Sequence, residues 1–232
     1  IDMRLNTKNY FLLNLFTFCS VLSFSSAAFS SSVELIQYDE SISHVLEPSP
    51  ELTLLASGLT WSEGPAWNPE RKTLYFSDVP NSLLYQWSAQ KGAEVLLDPS
   101  GLKTDTQGFG EPGSNGILVS ENGDYLLLAN HGYRSIQQVD LNNHQRTTIV
   151  NQFNEKKFNS PNDLVKTKGG ELLFTDPPYG LKGHDESALK ELGFNGVYRL
   201  HTDGTLHVID KTLTRPNGIG LSPDEQRLYV SV

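Results

Sequence analysis

Residues 114–132 read SNGILVSENGDYLLLANHG, and the pattern of this segment recurs along much of the chain. Polar residues stand at its head, an apolar run follows, and ENGD at residues 121–124 separates that run from a second one. Two short apolar runs joined by Asn, Gly and Asp are typical of a β-hairpin. We therefore predict a strand on each side of this turn.

The same pattern occurs three more times. The other segments are EGPAWNPERKTLYFSDV from Glu63, SPNDLVKTKGGELLFTDPPYG from Ser160 and RPNGIGLSPDEQRLYVSV from Arg215. The units repeat about every 50 residues, which is near the period of β-propeller blades. Between them lie candidates for third strands (residues 83–87 and 197–200) and fourth strands (residues 94–97 and 206–209). Four strands per unit is the composition of a propeller blade.

The sequence thus predicts an all-β chain, with residues 51–232 as a propeller domain. The one helix candidate is the short segment from Ser187 to Leu192, inside a polar insertion. Val232 lies within the fourth unit, and a propeller closes on itself to hide its strand edges. We therefore expect residues 51–232 to be part of a longer propeller.

The N-terminal segment differs in composition from the rest of the chain. Arg4 and Lys8 precede a largely apolar run from residue 11 to residue 24, and small residues follow at positions 26–28. This order predicts a secretory signal peptide over residues 1–28, with an uncleaved membrane anchor as the alternative. Residues 29–50 are then a lead-in, and we expect a secreted or periplasmic protein without membrane association after cleavage.

Cysteine count and charge exclude several kinds of site. The only cysteine, Cys19, lies in the predicted signal peptide, so the mature chain would have no disulfide, thiol nucleophile or cysteine metal ligand. The formal net charge is −9, and Lys and Arg form no cluster that would bind phosphates. We therefore expect no nucleic-acid partner.

Glu63, Asn115, Asn162 and Asn217 occupy the heads of the four units. In a propeller the first strand of each blade lines the central channel, so these side chains are predicted to converge at one end of it. A carboxylate with several amide oxygens makes a site for Ca²⁺ or another divalent cation. The alternative is that each asparagine caps a local turn.

Several longer strings point to a family. EGPAWNP, NSPNDLV, FTDPPYG, GVYRL and RPNGIGLSPDEQRLYVS closely resemble the SMP-30/gluconolactonase/LRE-like family over residues 52–232. The resemblance implies a six-bladed β-propeller, of which this chain covers the first three to four blades. It also implies a divalent metal on the axis and hydrolysis of sugar lactones.

The resemblance also assigns roles to individual residues. Glu63 and Asn217 match metal ligands, and Asn162 matches an asparagine that binds substrate or metal. The family's catalytic aspartate belongs to the blade after Asn217, outside this sequence, so we expect the 232-residue chain alone to be inactive. His131 resembles a histidine near the metal of related lactonases and is the catalytic candidate; a hydrogen-bonded histidine at a strand end is the alternative.

Four further residues are candidates for substrate binding: Asn115, Asp163, Asp176 and Tyr179. The alternative for Asp163 is a turn former, and the alternative for Asp176 and Tyr179 is the shaping of a proline-rich turn. The predicted function is metal-dependent hydrolysis of a gluconolactone-like sugar lactone to the aldonic acid. Ca²⁺ is the favoured cofactor, with Zn²⁺, Mg²⁺ and Mn²⁺ as alternatives. The competing functions are a non-catalytic binding propeller and a paraoxonase-like aryl ester or phosphotriester hydrolase.

Overall fold

The computed structural model describes residues 30–31, 38–46 and 52–232, which fall into two compact regions divided between Leu54 and Leu55. In the smaller region, strand β1 (Ser30–Ser31) pairs antiparallel with β2 (Leu52–Thr53), and a 3₁₀ helix spans Glu40–His44. The predicted signal peptide and most of the predicted lead-in lie outside the described residues. Within the described ranges, no helix has the length and apolar character needed to cross a membrane.

The larger region contains the four repeat units and begins with two four-stranded antiparallel sheets, each with its strands in chain order. The first sheet consists of β3 (Ser62–Asn68), β4 (Thr73–Asp78), β5 (Leu83–Ser88) and β6 (Gly92–Leu97). The second consists of β7 (Ser114–Val119), β8 (Tyr125–Asn130), β9 (Ser135–Asp140) and β10 (Arg146–Val150).

A small hairpin of β11 (Gln152–Phe153) and β12 (Lys156–Lys157) leads to the third sheet. That sheet is again four-stranded and antiparallel, with β13 (Leu164–Lys166), β14 (Leu172–Asp176), β15 (Gly196–Leu200) and β16 (Leu206–Asp210). A second 3₁₀ helix, His184–Glu186, lies between β14 and β15. The fourth unit is a two-stranded sheet of β17 (Ile219–Leu221) and β18 (Leu228–Val230).

These elements confirm the prediction of an all-β architecture built from antiparallel units. The third and fourth strands of the first and third sheets lie where their apolar runs predicted them. The helix candidate at residues 187–192 does not form a helix. Ser187 has extended backbone angles (φ −66°, ψ 134°), and its hydroxyl and carbonyl accept hydrogen bonds from Leu189 and Lys190 in a local turn. Such local hydrogen bonds compete with helix formation.

The first strands of successive units lie side by side: β3 contacts β7, β7 contacts β13, and β13 contacts β17. This is the radial order of propeller blades, in which each first strand faces the axis. The number of blades in a closed ring stays a prediction.

Apolar side chains fill the spaces between neighbouring sheets. One buried cluster joins the first and second sheets and includes Tyr75, Leu84 and Leu128. A second joins the second and third sheets around Phe158, Phe174 and Tyr198, whose ring centroids lie 5.1–5.2 Å apart. These closely packed interfaces fix the spacing of the sheets, and so they fix the positions of the first-strand heads.

Candidate functional site

The heads of the four units line one pocket of about 260 Å³. Every unit contributes to it, and the first strands bring their predicted head residues to the same place. The lining consists of Glu63, Gly64, Pro65, Asn115, Gly116, Ile117, Asn162, Asp163, Asn217 and Gly218.

The carboxylate of Glu63 is held by a neighbouring indole. Glu63 is half-buried in β3, and its Oε1 accepts a hydrogen bond from Trp61 Nε1 at 2.8 Å. The pairing of β3 with β4 shifts register between Glu63 and Ala66, so the strand is irregular where it carries this side chain. Such irregularities commonly redirect a side chain.

Glycine follows Glu63 and Asn115 because the first strands approach closely at these two positions. A Cβ on Gly64, which has φ +60°, would lie 2.2 Å from the carbonyl oxygen of Asn115. A Cβ on Gly116 would lie 2.7 Å from the carbonyl oxygen of Asn162. Only glycine permits these backbone contacts. The glycines after Glu63 and Asn115 therefore let the first three heads approach one another, whereas Asp163 follows Asn162.

The asparagines use their backbones, rather than their carboxamides, to bind neighbouring strands. Asn162 N–H donates to Thr175 O at 2.9 Å, and Asn217 N–H donates to Ser231 O at 2.8 Å. Within the described part of the chain, the carboxamides of Asn162 and Asn217 make no hydrogen bond to protein. Their amide oxygens are therefore available to a ligand in the pocket.

His131 is fully buried behind Asn115 and does not line the pocket. Its Nε2 lies 3.4 Å from Asn115 Nδ2. On the other side, its Nδ1 lies 3.4 Å from Glu111 Oε2, but without the geometry of a hydrogen bond. His131 thus reaches the pocket only through Asn115.

Asp163 lines the pocket and also links two units. Its Oδ1 accepts the N–H of Leu164 at 2.9 Å, and its Oδ2 accepts the N–H of Ile219 at 3.0 Å. Burial raises the pKa of this carboxyl, while the two N–H donors act in the opposite direction. Asp163 therefore lies in the lining and also binds the backbone of two units, and its assignment to substrate binding stays a prediction.

Asp176 does not line the pocket. Its carboxylate is fully buried at the end of β14, where it accepts the N–H groups of Asn159 and Ser160, both at 2.8 Å. Asp78 occupies the same place in the first unit and accepts the N–H groups of Thr60 and Trp61. These aspartates hold the segments that lead into the first strands of the first and third units, a role that sequence reasoning missed for Asp78.

Tyr179 also lies apart from the residues that line the pocket. The Arg215 guanidinium carbon lies 5.9 Å from the centre of its ring, within the range of a cation–π contact. Arg215 in turn pairs with Asp185 at 2.8 Å. The structure therefore gives Tyr179, like Asp176, a structural partner and no contact with the pocket.

The pH dependence of stability should report the burial of Asp176. Burial raises its pKa from 3.8 to about 7, because the loss of solvation outweighs the two N–H donors. A raised folded-state pKa stabilises the fold at low pH, and this stabilisation is lost as the pH rises towards 7. Asp176→Asn should cost about 1–3 kcal/mol at low pH, because an amide NH₂ would face a buried N–H.

That deficit should shrink by about 2 kcal/mol between about pH 5 and pH 7, since asparagine does not titrate. Urea unfolding of both proteins at several pH values in this range measures the change. A deficit that stays constant with pH would show that Asp176 remains ionised throughout.

The donor set of the pocket is rich in oxygen and poor in charge. In the described ranges, no three His, Cys, Asp or Glu side chains group so that they could hold a metal ion by themselves. Amide oxygens would have to complete any cation site here, with Glu63 and Asp163 as the carboxylates in the lining. Such mixed carboxylate and amide sets suit hard cations.

Comparisons with known proteins show the family of the chain. Residues 61–231 match the SMP-30/Gluconolactonase/LRE-like region. The chain belongs to this family. A gluconolactonase from Zymomonas mobilis is 42% identical over 200 residues, covering 85% of this chain and 56% of the relative. A pentonolactonase from Haloferax volcanii is 25% identical over 168 residues, covering 72% of this chain and 48% of the relative.

Solved structures of the family share the fold. A gluconolactonase structure from Xanthomonas campestris superposes with a TM-score of 0.73 at 32% identity, covering 88% of this chain and 65% of that one. The chain thus spans about half the length of the curated relatives named above. The family predicted from EGPAWNP, NSPNDLV and the other strings is confirmed.

Proposed function

We propose that this protein hydrolyses a sugar lactone to its aldonic acid in the pocket at the first-strand heads. The convergence of Glu63, Asn115, Asn162 and Asn217 on one pocket carries the proposal. The similarity to a gluconolactonase and to a pentonolactonase supports the choice of a cyclic sugar ester as substrate.

The residues of the pocket fit a divalent cation. Glu63, Asn162 and Asn217 would hold it through oxygen, which favours Ca²⁺, while Mg²⁺, Mn²⁺ and Zn²⁺ remain alternatives. When bound, such a cation polarises an ester carbonyl and acidifies a coordinated water. The amide oxygens would orient the ion without neutralising it.

The remaining pocket residues would prepare the substrate. Asn115 lines the pocket beside the proposed cation ligands. His131 Nε2 lies 3.4 Å from Asn115 Nδ2 and would accept a hydrogen bond from it, which would orient the carboxamide. We propose that His131 acts through Asn115, since it does not line the pocket. Asp163 lines the pocket, and its two oxygens accept the N–H groups of Leu164 and Ile219, so we propose that it fixes the first strands of the third and fourth units relative to each other.

Activity measurements on the full-length natural form of the protein test the proposal. Acid release should be fastest with five- and six-carbon aldonolactones, and kcat/KM for aryl esters and phosphotriesters should be at least about 100-fold lower. Heat-inactivated protein corrects for the spontaneous opening of the lactone. Faster turnover of the aryl ester or phosphotriester would favour the paraoxonase-like alternative, and no turnover of any of them would favour a binding propeller.

A further inference from the structure

Two buried hydroxyls occupy the same place in the first and third units. Ser77 and Thr175 each stand next to last in the second strand of their sheet, and both are fully buried. Ser77 Oγ donates to the carbonyl oxygen of Asn115 at 2.9 Å. Thr175 Oγ1 donates to the carbonyl oxygen of Asn217 at 2.6 Å. Each hydrogen bond thus runs from one sheet to the head residue of the next unit.

Thr175 contacts more of the pocket than Ser77 does. Its Oγ1 also accepts the N–H of Asp163 at 3.2 Å, and its backbone oxygen accepts the N–H of Asn162 at 2.9 Å. One buried residue therefore binds the backbones of three residues that line the pocket. Ala129 stands at this place in the second unit and has no hydroxyl; there Gly116 N–H donates to Asn162 O instead, at 2.8 Å.

These contacts fix directions as well as distances. A hydrogen bond to a carbonyl oxygen sets the orientation of its peptide plane, and that plane sets the direction in which the attached side chain leaves the backbone. Since the carboxamide of Asn217 has no protein partner among the described residues, its orientation depends on the backbone alone. The hydroxyl of Thr175 is the side-chain group that holds this backbone from the neighbouring sheet.

We infer that Thr175 is a positioning residue for the cation site, and that Ser77 does the same for Asn115. Thr175 would act by holding Asn217 and Asp163 so that the pocket keeps the spacing a single ion requires. The inference rests on the proposed function, because the ligand is the cation proposed above. A residue that merely joins two sheets would affect stability and leave ion affinity unchanged.

Ca²⁺ titration by calorimetry on the full-length natural form of the protein separates these two roles. Thr175→Val keeps the shape and removes the hydroxyl, and should raise the Kd for Ca²⁺ about tenfold, whereas Thr175→Ser should stay within about twofold. Ile136→Val is the matched control, because Ile136 is fully buried in the core between the second and third sheets. It should lower Tm without changing the Kd.

A Thr175→Val protein that is less stable but binds Ca²⁺ as tightly as the unmodified protein would overturn the inference. If the unmodified protein binds no Ca²⁺, the proposed cation fails, and amide NMR spectra still test the positioning role. The Asn217 backbone and side-chain amide signals should shift in Thr175→Val and return in Thr175→Ser; unchanged signals would overturn the inference. If Thr175→Val does not fold, Ser77→Ala replaces it, and the Asn115 amide signals are compared with those of the unmodified protein. Shifted signals would support the inference, and unchanged signals would overturn it.

Discussion

Replacing Glu63 by glutamine should raise the Kd for Ca²⁺ about 100-fold, because the charge of the ligands largely sets the affinity of such sites. Glu63 and Asp163 are the two carboxylates in the lining, and both oxygens of Asp163 accept backbone N–H groups. In the described part of the chain, Glu63 accepts a hydrogen bond through Oε1 only, so it would be the main carboxylate ligand of the proposed ion. Glutamine keeps the size of the side chain and removes that charge.

Lactone hydrolysis by Glu63→Gln should fall in parallel at limiting Ca²⁺ and recover in part at excess Ca²⁺. Glu121→Gln removes the same charge at a site whose side chain is 89% exposed and, among the described residues, pairs with Lys166 alone, so it should leave both quantities unchanged. Calorimetry and acid release on the two variants measure the difference. Equal Ca²⁺ affinity in the two variants would remove Glu63 from the site.

Replacing Phe174 by alanine should lower the free energy of unfolding by about 3–5 kcal/mol, the usual cost of emptying a buried aromatic site. Phe174 is fully buried in β14, stacks on Tyr198 and meets Phe158 edge-on. The rings are held between two sheets, so the space left by the missing ring cannot close easily.

Urea unfolding followed by linear extrapolation measures this loss. Tyr38→Ala is a suitable control, since Tyr38 is 92% exposed and its truncation should change stability by no more than about 0.5 kcal/mol. A loss below about 1 kcal/mol for Phe174→Ala would show that the aromatic cluster does not hold the second and third sheets together.

The strands and the head residues were predictable because both depend on local patterns that repeat. The turn at residues 121–124 and the apolar runs beside it define β7 and β8 without reference to the rest of the chain. Aligning the four units then equates Glu63 with the three asparagines, and the structure brings these side chains to one pocket.

Contacts between units carry no such periodic signal. Nothing near Thr175 in the sequence indicates that its hydroxyl binds a carbonyl 42 residues away, and nothing near Trp61 shows that its indole holds Glu63. The position of Asp176 before two prolines suggested a substrate contact or a role in a turn. The two backbone N–H groups that its carboxylate accepts are brought to it only by the fold. The helix candidate after Ser187 does not form, because Leu189 and Lys190 donate turn hydrogen bonds to this residue.

The most direct test of the proposed cation-dependent lactonase is acid release from gluconolactone before chelation, after exhaustive treatment with EDTA, and after return of Ca²⁺. The full-length natural form of the protein should lose at least about 100-fold in kcat/KM on chelation and regain it with Ca²⁺, since polarisation of the ester would depend on the ion. Hydrolysis that continues undiminished in a protein shown to be free of metal would contradict the account.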